Sequence, residues 1–152
     1  MNKTGPHAGA LRKGRVSETG RIYLITCVTW RRKDIFSQWT CGRLLVTVLM
    51  NEHRRARTLA YVVMPDHLHW LVQLRNNTSL DRLMCTVKGV SSHSINRELN
   101  RTGRLWQPGY HDHAVRREDD LLGTARYIVA NPLRAGLVNH IGEYPLWDAE
   151  WL

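Results

Sequence analysis

Two histidines separated by a single residue are the side chains of this sequence best suited to chemistry. His67 and His69 belong to a segment that alternates like a β-strand, so both imidazoles point to one face, roughly 6–7 Å apart along the strand. The other face carries Leu68 and Trp70, which supply a core without the histidines. We therefore predict that the pair binds one divalent metal ion, the alternative being two structural or surface histidines. An oxygen ligand with open positions would admit Mg²⁺ or Mn²⁺, and the sequence does not choose between metals.

A tyrosine further along the chain is the candidate nucleophile. Residues 118–130 are predicted to form a helix, and Tyr127 lies roughly 160° around it from the apolar stripe. A core tyrosine would lie within that stripe, which leaves a surface or a catalytic role. A phenol has a reference pKa of about 10, so covalent catalysis by it needs activation, and a metal ion on a phosphate would supply charge stabilisation. Asn131, one turn later, can place a side-chain oxygen beside the phenol.

The charge of the chain indicates an anionic partner. The formal net charge is +9, and residues 1–33 contain eight basic residues against one acidic residue. Clustered basic residues favour a polyanion, the alternative being a solvated basic tail. Together with the histidine pair and the tyrosine, they indicate chemistry on nucleic acid. The basic residues expected to contact it are Arg12, Lys13, Arg15, Arg21, Arg31, Arg32, Lys33, Arg116, Arg117, Arg126 and Arg134.

Length and composition favour one globular domain. We expect a flexible basic segment over residues 1–19 and a single domain over residues 20–152. The three cysteines are widely spaced, which supports neither a zinc ribbon nor a disulfide framework and favours a reducing, cytoplasmic setting. No apolar run is long enough for a membrane span, and the N-terminus lacks the apolar core of a signal peptide.

The predicted elements follow the order β-α-β-β-α-β-α. Strands are predicted over residues 21–30, 59–64, 67–74 and 112–116, and helices over 38–57, 79–100 and 118–130. Pro65 and Asp66 make the tight turn of a hairpin between the second and third strands. An antiparallel sheet with helices packed on one face would bury the apolar sides of both element types, a ferredoxin-like α+β fold. The two histidines would then lie on the face away from the helices.

Five segments of the sequence resemble a known family. The segment Met64–Val72 resembles the His-hydrophobic-His signature of single-tyrosine HUH transposases. The segments Leu105–Arg116 and Tyr127–Val138 resemble the REP-associated tyrosine transposases, which are relatives of the IS200/IS605 transposases. The opening Gly20–Thr26 and the run Trp30–Lys33 fit the same branch. The resemblance covers roughly residues 12–147, with its motifs in the family's order.

The resemblance implies a specific reaction. Members cleave single-stranded DNA beside a hairpin or palindromic repeat through a 5′-phosphotyrosine link, release a 3′-OH, and can rejoin strands without ATP. By motif position, Tyr127 would be the nucleophile, and His67 and His69 would hold the metal. Asn131 occupies the position where IS200/IS605 relatives carry a longer Gln ligand. REP-associated members are thought to act as monomers, which we expect here, with a dimer exchanging tyrosine helices as the alternative.

Two other functions fit the same residues. A domesticated DNA-binding regulator would keep the fold and do little catalysis, and a metal-dependent nuclease would cut without a covalent intermediate. Several side chains also have open roles. His111 and His113 can contact the metal site or DNA, Lys88 can approach the site, and the aromatic segment 143–152 can dock on the body or cover the site. The candidate base-stacking groups are Trp30, Trp70 and Trp106, with Trp70 assigned more readily to the core.

Overall fold

The computed structural model describes residues 20–151. The strands are β1 (Ile22–Val28), β2 (Ala56–Met64), β3 (His67–Leu74), β4 (His111–Val115) and β5 (Trp147–Ala149). The helices are α1 (Trp39–Asn51), α2 (Leu80–Glu98), α3 (Glu118–Val129) and the short α4 (Asn131–Arg134). Single 3₁₀ turns lie at Trp30–Arg32, Ile35–Ser37 and Ile141–Glu143. The predicted basic N-terminal segment, with Arg12, Lys13 and Arg15, lies outside the described residues.

The five strands form one antiparallel sheet in the order β4-β1-β3-β2-β5. The first four strands have the ferredoxin-like arrangement, and β5 extends the sheet at the β2 edge, so the predicted α+β class is confirmed. Met64 pairs with His67, which leaves Pro65 and Asp66 as the predicted two-residue turn. The register of β1 places Val28 opposite His67 and Ile22 opposite Gln73, so the start of β3 and the end of β1 lie at the same end of the sheet.

One face of the sheet carries the main core beneath α1 and α2. Leu68, Trp70 and Val72 alternate along β3 towards this side and have no exposed surface. The indole Nε1 of Trp70 donates a hydrogen bond of 2.9 Å to Thr58 Oγ1, so the ring's one polar atom is satisfied in the core. Ser79 caps α2 by accepting a hydrogen bond from Arg82 N.

The other face of the sheet is covered in part by α3. Ala125, Ile128 and Val129 of α3 pack in a second apolar cluster with Val62 and Met64 of β2. The expectation that the helices share one face therefore holds for α1 and α2, whereas α3 lies on the face of the two histidines. The physical reason is that nearly every residue of β2 is buried, so this strand needs apolar cover on both of its sides.

The C-terminal segment docks on the sheet edge. Leu146 O accepts from Val63 N at 2.8 Å, and the Tyr144 hydroxyl donates to Val63 O at 2.5 Å. Leu146 presses against Gly42 of α1, where a Cβ atom would lie 2.3 Å from the leucine Cδ1, so glycine permits this contact. Among the described residues, no helix has the length and apolar character needed to cross a membrane.

Candidate active site

The histidine pair is brought together as the sequence predicted. His67 and His69 share the face covered by α3, with ring centroids 4.9 Å apart and ring planes at 81°. Both rings are partly exposed, and the side chain of His67 retains 21% of its accessible surface. The centroids are closer than two residues of strand rise, because the rings lean towards each other. The pair can therefore direct two nitrogens to a common point.

Asp66 sets the orientation and tautomer of His67. The Asp66 carboxylate accepts from His67 Nδ1 at 2.7 Å and from Arg32 Nη1 at 3.1 Å. Burial alone raises the pKa of Asp66, but the hydrogen bond and charge of His67, together with Arg32, outweigh burial and lower that pKa. An ionised carboxylate only accepts hydrogen bonds, so the His67 Nδ1 carries a proton, and a metal ion would bind through Nε2.

Thr26 on β1 orients the second histidine. Thr26 Oγ1 lies 2.8 Å from His69 Nδ1, and the two residues are paired across the β1–β3 ladder. Burial, together with the charges of His67 and Arg134, lowers the pKa of His69 to about 4. His69 is therefore neutral at physiological pH. In the tautomer with the proton on Nδ1, this N–H donates a hydrogen bond to Thr26 Oγ1, and Nε2 is free to bind a metal ion.

The residues present fit a site for a divalent ion in which two imidazoles are joined by an oxygen ligand. Within residues 20–151, no three His, Cys, Asp or Glu side chains cluster as a metal site. Asn131, the predicted third ligand, would supply an amide oxygen instead. This composition suits an ion that also takes oxygen ligands from a substrate.

Tyr127 occupies the polar side of α3, as the helical wheel predicted. Its side chain is 64% exposed, whereas the adjacent Ile128 is 1% exposed. The phenol borders an open groove of about 520 Å³ between α3 and the β1–β4 part of the sheet, which is also lined by His113, Asp120 and Thr124. Packing does not account for this ring, and the groove leaves room for a substrate beside it.

Arg134 connects the tyrosine with the other candidate residues. Its guanidinium carbon lies 3.8 Å from the centroid of the Tyr127 ring, and its Nη2 donates to Tyr127 O at 2.7 Å. The same nitrogen donates to Asn131 Oδ1. The charge of Arg134 also contributes to the lowered pKa of His69. One exposed cation thus touches the candidate nucleophile and the candidate third ligand and acts electrostatically on His69.

The predicted basic residues that the structure describes separate into three groups. Arg31, Arg32 and Lys33 follow β1 at the end of the sheet that carries His67. Arg21, Arg116 and Arg117 lie at the opposite end, because Ile22 pairs with Val115 and with Gln73. Arg126 and Arg134 are exposed near the end of α3 and in α4. Only part of the predicted basic set is therefore adjacent to the histidine pair.

The remaining sequence candidates have different outcomes. His111 and His113 point to the site face, since they pair with Thr26 and Leu24 of β1. Lys88 donates to Gln107 O at 2.8 Å and to Gly109 O at 2.7 Å, so it holds a loop. Trp70 and Trp106 are 0% and 5% exposed, which excludes both as stacking surfaces for bases in this conformation. Trp30 is partly exposed.

Sequence reasoning missed the residues that orient the histidines. Asp66 directly precedes His67, so its proximity was visible in the sequence as a possible hydrogen-bond partner. Thr26 was not identifiable in this way, because its position opposite His69 depends on the register of two strands far apart in sequence. The contact of Arg134 with Tyr127 similarly depends on the turn between α3 and α4.

Comparisons with known proteins identify relatives of one kind. Two curated relatives are a candidate REP-associated tyrosine transposase of Haemophilus influenzae, 29% identical over 106 residues, and a REP-associated tyrosine transposase of Escherichia coli K12, 26% identical over 87 residues. These alignments cover 62% and 57% of the chain. They span 59% and 50% of the relatives, so the chain matches little more than half of their length.

Solved structures share the fold. A REP-associated tyrosine transposase bound to a REP hairpin superposes with a TM-score of 0.72 at 23% identity, covering 88% of this chain and 79% of that chain. A candidate transposase of Deinococcus radiodurans superposes with a TM-score of 0.53 at 19% identity, covering 76% and 93%. The sequence model described as "Transposase IS200 like" matches residues 18–131, which contain the histidine pair, Tyr127 and Asn131. The chain therefore belongs to the IS200-like transposase family and resembles its REP-associated tyrosine transposases.

Proposed function

We propose that the protein is a metal-dependent endonuclease and strand transferase for single-stranded DNA, acting at hairpin or REP-type repeats through a 5′-phosphotyrosine intermediate. The observation that carries the proposal is the arrangement of Tyr127, exposed above a groove on the sheet face that also holds the oriented pair His67 and His69. The family membership of residues 18–131 supports the same reaction class.

In the proposed step, the Oη atom of Tyr127 attacks the scissile phosphorus. The Oη–P bond forms as the bond from phosphorus to the 3′ oxygen breaks. The phenol loses its proton, and the departing 3′ oxygen gains one to become the free hydroxyl. The new phosphotyrosine bond replaces the broken phosphodiester bond and conserves its energy. A 3′-OH can therefore reverse the step or join a second strand without an external energy source.

His67, His69 and Asn131 would hold the metal ion. When bound, Mg²⁺ or Mn²⁺ would stabilise negative charge on the scissile phosphate and orient it for in-line attack. The protein's part is to fix both imidazoles through Asp66 and Thr26, which lie 2.7 Å and 2.8 Å from their Nδ1 atoms. Because these partners hold Nδ1, the Nε2 atoms are the ones available for coordination.

Arg134 would position the nucleophile and release the third ligand. In the described conformation, its guanidinium covers the Tyr127 ring and donates to Asn131 Oδ1. A DNA phosphate offers this exposed cation a stronger acceptor than a neutral amide oxygen. Movement of Arg134 to the phosphate would free Asn131 for coordination and place the phosphate beside the phenol.

The proposed partner is a DNA hairpin with a single-stranded flank, since one structural relative is bound to a REP hairpin. We propose a monomer as the active unit, because Ala125, Ile128 and Val129 seat the tyrosine helix on the chain's own sheet. The basic groups at both ends of the sheet would contact phosphates. We place the activity in the cytoplasm, where the three free cysteines would remain reduced.

A denaturing-gel assay tests the proposal. Labelled hairpin DNA carrying repeats from the flanks of the protein's own gene is incubated with protein in Mg²⁺, Mn²⁺ or chelator. The parent protein should give a metal-dependent covalent adduct, and Tyr127→Phe should abolish it while largely retaining DNA binding. Tyr110→Phe is the matched control, since this buried phenol donates to Asp81 on the α2 side of the sheet.

Four results would contradict the proposal in different ways. Persistent adduct in Tyr127→Phe would exclude this tyrosine as the nucleophile. Multiple-turnover cleavage without an adduct would favour the metal-dependent nuclease. Specific binding with neither adduct nor cut, across metals, would favour the DNA-binding regulator. Activity in chelator that is unchanged by His67→Ala and His69→Ala would remove the metal site.

A further inference from the structure

A tryptophan flanked by two arginines lies beside the turn that leads to the histidine pair. Trp30 is partly exposed, and its ring centroid lies 5.7 Å from Arg31 Cζ and 5.1 Å from Arg104 Cζ. Both arginines are exposed. Arg32 and Lys33 follow directly in the chain and are also exposed. An aromatic surface among cations is the combination that binds the bases and phosphates of a single strand.

The backbone holds this cluster in a fixed shape. Trp30 N donates to Leu105 O at 2.8 Å, which brings Arg104 beside the ring. Arg31 and Arg32 both have positive φ values, 57° and 51°. Residues other than glycine seldom adopt this left-handed backbone conformation. Where they do, the surrounding structure enforces the conformation, and such residues cluster at functional sites. Hydrogen bonds from Arg32 N to Thr29 O and from Lys33 N to Trp30 O hold the two exposed arginines in this turn.

The cluster is tied directly to the histidine turn. The backbone N–H of buried Thr29 donates to Asp66 O at 2.9 Å, and its hydroxyl lies 3.1 Å from the same oxygen. Arg32 Nη1 lies 3.1 Å from Asp66 Oδ2, while the other carboxylate oxygen accepts from His67 Nδ1. A nucleotide held at Trp30 would therefore lie next to the residues that orient the proposed metal site.

We infer that Trp30, with Arg31 and Arg104, forms a stacking site for an unpaired nucleotide of the DNA strand that enters the active site. The inference rests on the proposed function for the identity of that strand as DNA. An incoming base would displace one guanidinium from the ring, because base stacking on an aromatic ring exceeds an exposed cation–π contact. The displaced arginine would then be available for the neighbouring phosphate.

Binding without chemistry tests this site. All variants carry Tyr127→Phe and are measured in chelator, by fluorescence anisotropy, on labelled oligothymidine and on a blunt DNA hairpin. Trp30→Ala should weaken binding to oligothymidine by about tenfold or more and leave binding to the blunt hairpin unchanged. Trp30→Phe should retain most of the affinity. Trp151→Ala is the matched control, since this tryptophan is 43% exposed and follows β5 at the far edge of the sheet.

A second variant separates loss of stacking from loss of folding. Trp30→Leu keeps apolar bulk without a ring, and it should show the same loss as Trp30→Ala with an unchanged thermal unfolding midpoint. Oligothymidine with one 2-aminopurine should show fluorescence quenching by the parent protein, and both variants should reduce this quenching.

Equal binding of oligothymidine by the parent and by Trp30→Leu would overturn the inference, as would an equal loss of binding to the blunt hairpin. Because no cleavage is measured, the outcome does not depend on Tyr127 chemistry, and absence of all DNA binding by the parent would contradict the proposed function as well.

Discussion

The two faces of strand β3 show how one short segment serves both packing and chemistry. Leu68 and Trp70 point to the side of α1 and α2 and are completely buried. His67 and His69 point to the side of α3, where both remain partly exposed and hydrogen-bonded to neighbouring side chains. The strand's alternation thus gives a closed apolar face and an open polar face.

The two faces differ in the hydrogen-bond partners of the polar atoms of each ring. The polar atom of Trp70 has one partner, Thr58, and the rest of its ring is packed. Each histidine has one nitrogen held by a partner, Asp66 or Thr26, and a second nitrogen directed away from it. An oriented donor atom left available on an open face is the property expected of a ligand rather than of a core residue. The following predictions test this contrast.

The largest effect on stability is expected on the closed face. Trp70→Ala should lower the free energy of unfolding by about 3–5 kcal/mol, because it removes a fully buried ring and leaves a cavity. His67→Ala removes a ring from the same strand on the open face and should change stability by less than about 1 kcal/mol. Urea unfolding in chelator measures both. Equal destabilisation would show that His67 serves packing.

Acid should destabilise the metal-free protein through His69. Its pKa is about 4 in the folded chain, against about 6.5 for an unperturbed histidine. Between these values the unfolded state binds a proton that the folded state does not. The contribution of neutral His69 is therefore complete above about pH 6.5, falls as the pH decreases to about 4, and amounts to about 3 kcal/mol at most.

Urea unfolding across this pH range, with wild type beside His69→Gln, measures the contribution. The variant should lose less stability on acidification than wild type. Because the pKa of Asp66 is lowered, the stability that its ionised carboxylate contributes is lost below this pH range. The effects of His69 and Asp66 are therefore separable. Parallel stability curves for the two proteins would contradict a buried neutral His69.

Removal of the hydroxyl that orients His69 should weaken metal binding. Thr26→Val should lower the affinity for Mn²⁺ by about 10–100-fold, as is typical for loss of a partner to a ligating histidine. Thr58→Val is the control from the closed face, because Thr58 Oγ1 accepts from Trp70 Nε1. This control should reduce stability and leave the affinity unchanged. Titration calorimetry with Mn²⁺ distinguishes the two, and equal affinities for wild type and Thr26→Val would exclude the orienting role.

A smaller effect is expected at the cation above the tyrosine. Arg134→Gln should slow adduct formation about five- to tenfold, consistent with loss of roughly 1 kcal/mol of cation–π and phosphate interaction. The free energy of unfolding should stay within about 0.5 kcal/mol of wild type. Arg126→Gln, an exposed change on the tyrosine helix α3, should have a rate of adduct formation closer to that of wild type. Single-turnover measurements compare the two, and equal rates for both variants would remove the positioning role.

Local sequence patterns predicted much of the fold. The alternation around Trp70 and the turn at Pro65 located the β2–β3 hairpin, and the apolar stripe of α3 placed Tyr127 outside the core, as its 64% exposure confirms. The predicted helix over residues 38–57 was too long, since α1 ends at Asn51 and Arg57 belongs to β2. Basic residues are good helix formers, so local propensity did not reveal that pairing with β3 would extend the strand back to Ala56.

The candidate site was predictable in its residue types and less so in its connections. The spacing of His67 and His69 follows from strand geometry alone. The contact of Thr26 with His69, by contrast, requires the register between β1 and β3, and the contact of Arg134 with Tyr127 requires the chain reversal after α3. Such contacts depend on tertiary structure, which no local period in the sequence encodes.

The most direct test of the central claim is identification of the residue that is covalently linked to DNA. The adduct formed with hairpin DNA in Mn²⁺ is trapped, digested with protease and nuclease, and analysed by tandem mass spectrometry. The account predicts a 5′-nucleotide phosphate on Tyr127 and no modified peptide from His67→Ala. A nucleotide on any other residue, or cleavage of the hairpin with no modified peptide, would contradict it.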